Sequence, residues 1–193
     1  MLGALLTYIA RQRDHPSACP YSLRFSLDFP HPSVTRSRLR EMLSPQPGER
    51  VLEIGPGTGY YSLHAVRWLE PEGTLEVWTS SSRCSTIPWR RAYTLGISNI
   101  VPTRGDAQTL TYTDGRFDSA YLVATLGEVP DQGRALRELR RVLKRGGRLV
   151  VGEVLLDLHR VSFSDLRRMT DEAGLGYERR IEGWLGYFAS FRA

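Results

Sequence analysis

Val51-Leu52-Glu53-Ile54-Gly55-Pro56-Gly57-Thr58-Gly59-Tyr60-Tyr61 runs from an apolar strand pattern into a carboxylate, then three alternating glycines, then a helical pattern. Glycine is required where backbone adopts φ > 0 or where a ligand presses against it, and a helix starting there offers unpaired N–H groups. The stretch therefore reads as a nucleoside-binding turn. Its spacing narrows the ligand. A dinucleotide fingerprint reads G-x-G-x-x-G/A, but here only Thr58 separates the second and third glycines, and Tyr60 stands where close helix packing wants Gly or Ala. Glu53 at the strand's end repels a pyrophosphate and attracts a cation. Both features weigh against a nicotinamide dinucleotide.

Working outward, strand and helix patterns alternate. Strands are predicted at 50–54, 74–78, 100–103, 117–123 and 148–155, with helices at 59–69, near 88–95, at 133–143 and at 164–173. In the 133–143 helix, Ala135, Leu136, Leu139, Val142 and Leu143 form one apolar stripe among arginines. Strands separated by helices imply right-handed crossovers and a parallel sheet covered on both faces. The pattern then changes: 177–181 and 185–191 flank Glu182-Gly183-Trp184 and read as a hairpin. Upstream of the turn, Ser33 precedes a helical pattern whose Leu39, Met42 and Leu43 share a face, and Pro45-Gln46-Pro47-Gly48 stops it. Residues 14–32 hold four prolines with Tyr21, Phe25 and Phe29 between them, an irregular segment with apolar anchors suited to covering a pocket.

A chain of 193 residues accommodates one well-packed domain, and 41% hydrophobic with 24% charged residues excludes a disordered chain or a coiled coil. Cys19 and Cys84 fit no metal-ligand spacing, so no metal is expected and a reducing, cytoplasmic setting is. The apolar run at 1–10 lacks a basic start and a cleavage pattern, which argues against a signal peptide, and no segment is long enough for a stable membrane span. A peripheral membrane contact stays open. The net charge of +5 rests almost wholly on arginine, with Lys144 the only lysine, spread along helices rather than gathered in a tail. That distribution argues against nucleic acid as a partner. The sequence does not specify an oligomeric state.

The acid-glycine pattern of Glu53, Gly55, Gly57 and Gly59 resembles the first motif, E/D-x-G-x-G-x-G, of class I S-adenosylmethionine-dependent methyltransferases. S-adenosylmethionine carries a sulfonium and an ammonium and no phosphate, in keeping with the carboxylate. Gly105-Asp106-Ala107, Phe117-Asp118 and the run Leu139-Arg140-Arg141-Val142-Leu143 look most like the small-molecule group related to ubiquinone and menaquinone biosynthesis. The resemblance implies an α/β, Rossmann-like methyltransferase fold: a mainly parallel seven-stranded sheet, an antiparallel C-terminal hairpin strand, and helices on both faces. It divides the chain into an N-terminal helical or lid segment at 1–48, packed on a donor-binding domain at 49–193. It implies S-adenosylmethionine as cofactor, held by Glu53, Gly55, Pro56, Gly57, Gly59, Thr79, Asp106, Ala107 and Leu122. Asp106 matches the acid that accepts from the adenine amino group; by local sequence alone it reads equally as a helix cap or Asx turn. The methyl acceptor is expected to be a small molecule. Glu128 and His159, near the ends of the fourth and fifth strands, are the candidate bases, and Tyr21, Phe25, His31 and Tyr60 are candidates for the acceptor side.

One position departs from the pattern. The family places an acid at the end of the second strand to hold both ribose hydroxyls, and this chain has Thr79 there. A hydroxyl does not supply two charge-assisted acceptors, a loss of about 1.5–3 kcal/mol in donor affinity. Synonymous codons exist for 78–88 whose bases, regrouped by one position, read Asp-Ile-Gln-Gln-Gln-Met-Leu-Asp-His-Thr and restore the acid. The alternative reading is thus a degenerate, non-catalytic binding protein of this fold, or a locally frameshifted gene product with weakened donor binding. The gene's own nucleotides decide between frames: without an Asp codon at that place in the shifted frame, the frameshift reading fails.

Overall fold

The computed structural model describes residues 33–80, 92–155, 157 and 159–193. Tyr21, Phe25, His31, Cys19 and Cys84 lie outside the described residues, as do 81–88 of the segment with an alternative frame.

Helix α1, Arg36–Leu43, is capped at its start by Thr35, whose side chain accepts from Arg38 N, and closes on Ser44 in the left-handed region at φ 43°. The sequence pattern placed Ser33 before this helix; the capping hydroxyl is two residues later. Its apolar face, Leu39, Met42 and Leu43, is buried with Val51, Val150 and Phe188. Burial of each such side chain is worth about 1.5–3 kcal/mol. Arg148 fastens the end of α1: its Nε donates to Leu43 O at 2.8 Å and its guanidinium pairs with Glu49 at 2.5 Å.

Strand β1, Arg50–Ile54, leads through the glycine turn to α2, Ser62–Ala65, which tightens into a 3-10 turn at Val66–Leu69. The helical pattern at 59–69 is therefore only partly α-helix. Gly59 still belongs to the turn, and Pro71 excludes the α conformation at Glu70, whose ψ of 149° is extended. Strands β2, Thr74–Thr79, and β3, Ile100–Arg104, follow. Of the helix predicted near 88–95, residues 92–94 are helical and 88–91 lie outside the described residues. Strand β4, Phe117–Val123, precedes a 3-10 turn, Leu126–Glu128, and α3, Gln132–Val142, capped by Asp131 accepting from Arg134 N at 2.8 Å. Strand β5 spans Leu143–Val154, five residues earlier than the apolar run suggested. Leu143 pairs with Phe117 before a register shift, and the C-terminus holds the intervening turn through Gly146 N to Ala193 O at 2.7 Å. Helix α4, Phe163–Glu172, and the hairpin β6, Gly176–Gly183, with β7, Gly186–Arg192, complete the chain.

The seven strands order as β3-β2-β1-β4-β5-β7-β6, parallel except that β7 runs antiparallel to both β5 and β6. Both faces are covered. Leu52, Ile54, Leu122, Val151, Leu136 and Leu139 build one core, while Val51, Val77, Val150, Leu39 and Val66 build the other. Central strands buried on both faces read as continuous apolar runs, which is why they were recognisable.

Candidate functional site

In the strand order, β1 lies between β2 and β4, so the winding reverses there, and ligands of open α/β sheets bind beyond the carboxyl ends at such a point. The glycine turn occupies that place. Gly55, Gly57 and Gly59 take φ of 71°, 54° and 84°, where an L side chain costs roughly 1–2 kcal/mol. Gly55 N donates to Trp78 O at 2.9 Å and Gly59 N to Pro56 O at 2.8 Å, which fixes both ends of the turn. The segment after β4 closes against it: a Cβ at Gly55 would lie 2.4 Å from Thr125 Cγ2.

Beneath the turn, Glu53 is 2% exposed. Burial pushes its carboxyl up to about 7, against the lowering influence of the Ser62 and Tyr121 hydroxyls. Its Oε2 has no hydrogen-bond partner among the described residues. A buried carboxyl with an open acceptor, poised near neutrality, is what an incoming ammonium complements, because the cation compensates the cost of ionising it. The residues present thus fit the amino-acid end of a sulfonium nucleoside.

The other predicted donor residues gather on the same edge of the sheet. Pro56 is buried in the turn; Thr79, 6% exposed, ends β2 and its carbonyl accepts from Gly105 N at 3.0 Å. Gly105 packs on the indole of Trp78, where a Cβ would approach to 2.2 Å. Asp106 follows with an exposed carboxylate that accepts from Gln108 N at 2.9 Å, and this bond and the Gln108 amide hold it below the usual carboxylate range. The Asx-turn geometry is present and the carboxylate still faces solvent. Ala107 packs partly buried against the core, and Leu122 is fully buried within β4.

The turn bearing Glu128 and the loop bearing His159 come together beyond β4 and β5. Gly127 presses so closely on His159 that a Cβ there would fall 1.6 Å from the His159 carbonyl oxygen. Sequence reasoning passed over a third group here, Glu153, a lone carboxylate in the apolar run of β5. It is 1% exposed, and its cross-strand partner is Tyr187. The pair grips one residue from both sides: Val161 N donates to Glu153 Oε2 at 3.2 Å and Tyr187 OH donates to Val161 O at 2.9 Å. Burial pushes the Glu153 carboxyl up to about 8, with Asp157 and Glu128 adding to the rise and the Val161 N–H and Arg160 opposing it.

A carboxyl raised in the folded state keeps its proton where the unfolded chain has lost it. Stability therefore falls as pH rises from about 4.5 to about 8 and levels off above. Glu153→Gln removes this slope. We expect the variant to match the wild type near pH 5 and to be more stable at pH 9, on the order of 2 kcal/mol after relaxation around the buried group. Thermal melts across pH measure it; parallel curves for the two proteins would contradict the assignment.

Residues 31–190 match the family described as a methyltransferase domain, and the chain belongs to that family. A demethylmenaquinone methyltransferase of Corynebacterium efficiens is 32% identical over 66% of this chain and 51% of its own length. The chain thus spans about half the length of that curated relative. Among solved structures, a SAM-dependent methyltransferase from Aquifex aeolicus superposes with a TM-score of 0.83, covering 91% of this chain and 99% of the other at 18% identity, a likeness of fold. The [4+2]-cyclase SpnF superposes at 0.70 with 28% identity, covering 76% of this chain and 57% of its own. Among the described residues no helix is long and apolar enough to cross a membrane.

Proposed function

We propose that the chain binds S-adenosylmethionine at the β1 turn and transfers its methyl group to a small, quinone-like aromatic acceptor. The observation that carries this reading is the glycine turn over the buried Glu53, whose Oε2 has no partner among the described residues, at the point where the strand order reverses. Membership of the methyltransferase-domain family and likeness to a demethylmenaquinone enzyme support it. When bound, the donor supplies an electrophilic methyl on a sulfonium, displaced in line. The protein's part is to hold the two reactants aligned and dry. Glu53 takes the ammonium, the glycines let the nucleoside approach the backbone, and Asp106 accepts from the adenine amino group. Glu128 and His159 are the candidate bases, one of which receives a proton if the nucleophile carries one.

The test is transfer of labelled methyl from S-adenosylmethionine to a reduced naphthoquinone, against a panel of phenols and amines. Methylated naphthoquinol is the expected product. Label moving only to an amine, or to nothing in the panel while the donor binds, overturns the acceptor class.

A second reading retains the fold without methyl transfer, and Thr79 with the buried indole N–H of Trp78, which has no partner among the described residues, favours it. The cyclase neighbour illustrates that this scaffold serves other chemistry. The intact turn, Glu53 and Asp106 oppose it, and we prefer the enzyme.

A further inference from the structure

The chain leaving β5 is fastened at several points around His159. Asp157 N donates to Val154 O at 3.1 Å, the Asp157 carbonyl accepts from Arg160 N at 3.2 Å, and its carboxylate accepts from His159 N at 2.9 Å. Two residues on, Val161 is held by Glu153 on one side and Tyr187 on the other, while Gly127 packs on the His159 carbonyl. The turn carrying Gly127 is itself tied to the glycine turn. Ala124 takes φ of 49°, a left-handed conformation that a non-glycine residue keeps where its surroundings impose it. Its N–H donates to Gly152 O at 2.8 Å, and Thr125, next along, packs against Gly55.

Glu153 is an expensive way to fill its position. Leu149 and Val151 share its face of β5 and lie in the apolar core, where a carboxyl is costly unless it is bonded. Leucine would fill the space without that cost. It would also leave Val161 N without its acceptor, because the backbone of β5 is already paired with β4 and β7. What the carboxyl adds is therefore a hold on the chain two residues beyond His159.

We propose that Glu153, together with Tyr187, is a positioning residue that fixes His159 to take the proton of the methyl acceptor. The inference rests on the methyl-transfer reading given above and on His159 as its base. In that step the acceptor's proton passes to the neutral His159 imidazole, the electron pair it leaves forms the bond to the methyl carbon, and the methyl–sulfur bond breaks to give a thioether. Glu153 and Tyr187 touch neither reactant; both act through Val161.

The test sets Glu153→Leu, Glu153→Gln, Tyr187→Phe and His159→Gln beside the wild type, with melts to report folding. Amide hydrogen exchange reads the hold without any activity. In Glu153→Leu, Val161 should exchange about tenfold faster or more while residues 149–151 keep their protection, and Glu153→Gln, which retains an acceptor oxygen, should keep Val161 protected. In transfer of labelled methyl to a reduced naphthoquinone, Glu153→Leu should lower kcat about tenfold or more, with Glu153→Gln recovering most of it and S-adenosylhomocysteine affinity within about twofold throughout. Combining Glu153→Leu with His159→Gln should be no slower than His159→Gln alone, because a residue acting through another has no effect once that other is gone. If Glu153→Leu does not fold, Tyr187→Phe carries the same comparison with a smaller loss. Unchanged exchange at Val161, or losses that multiply in the double variant, would overturn the proposal. A wild type that binds the donor and methylates another acceptor of the panel overturns the quinone-like acceptor alone, and the same comparison is then made with that acceptor. A wild type that binds the donor and methylates nothing overturns the methyl-transfer reading and, with it, the role given to His159.

Discussion

Thr79→Asp is expected to tighten binding of S-adenosylhomocysteine by about tenfold or more, roughly 1.5–3 kcal/mol. Thr79 closes β2 on the edge where the glycine turn, Gly105 and Asp106 converge, and its carbonyl is tied to Gly105. A carboxylate at this place offers two charge-assisted acceptor oxygens to a ribose diol, whereas a hydroxyl offers one oxygen and carries no charge. The gain should be specific to the ribose. Adenine alone should bind both proteins equally, and NAD(H) should gain little. A variant that folds, as judged by its melt, yet binds no more tightly would show that the ribose does not lie over β2 and would undo the placement of the donor. Beside Thr79, the buried indole N–H of Trp78 lacks a partner among the described residues. Such a group costs about 1–3 kcal/mol.

Gly127→Ala should have the largest effect on stability, a loss of about 3 kcal/mol, or about 6–12 °C in melting temperature for a chain of this size. The Cβ would lie 1.6 Å from the carbonyl oxygen of His159 and 2.6 Å from its carbon. Both are backbone atoms, so a rotamer change does not relieve the clash; the segment bearing Glu128 must separate from the loop bearing His159. Val161, two residues on, is gripped by Glu153 and Tyr187, so that loop does not yield readily. Gly133→Ala provides the opposite sign. Gly133 sits within α3, where a Cβ meets nothing closer than 3.4 Å, and alanine there should stabilise by about 0.5–1 kcal/mol through helix propensity. Comparable melts for the two variants would show that the packing between the 126–128 turn and the 157–161 loop is not tight.

The parts of this fold that were legible in the sequence are those written in local pattern. The glycine turn was recognisable because positive φ at three alternating positions demands glycine, and the central strands because burial on both faces demands apolar runs. The hairpin followed from two alternating segments around Gly183. Elements set by contacts distant in sequence were not legible. The early start of β5 depends on Leu143 finding Phe117, and the shortened α2 on the turn keeping Gly59 for itself. The site divides the same way. Glu53 announces itself by standing next to the glycines, while Thr125, whose side chain closes against Gly55, acquires meaning only when β4 pairs with β1. Glu153 left one trace, a charge inside an otherwise apolar strand. Its grip on Val161 needed the chain folded, since Tyr187 completes it from another strand.

The most direct test of the central claim is calorimetric titration of the purified chain with S-adenosylmethionine and S-adenosylhomocysteine, with NAD(H) as the control. The account predicts one-site binding of both sulfur nucleosides in the micromolar range, about −8 kcal/mol, and no heat with NAD(H). Binding of NAD(H) without the sulfur nucleosides, or no binding of any of them, would contradict it.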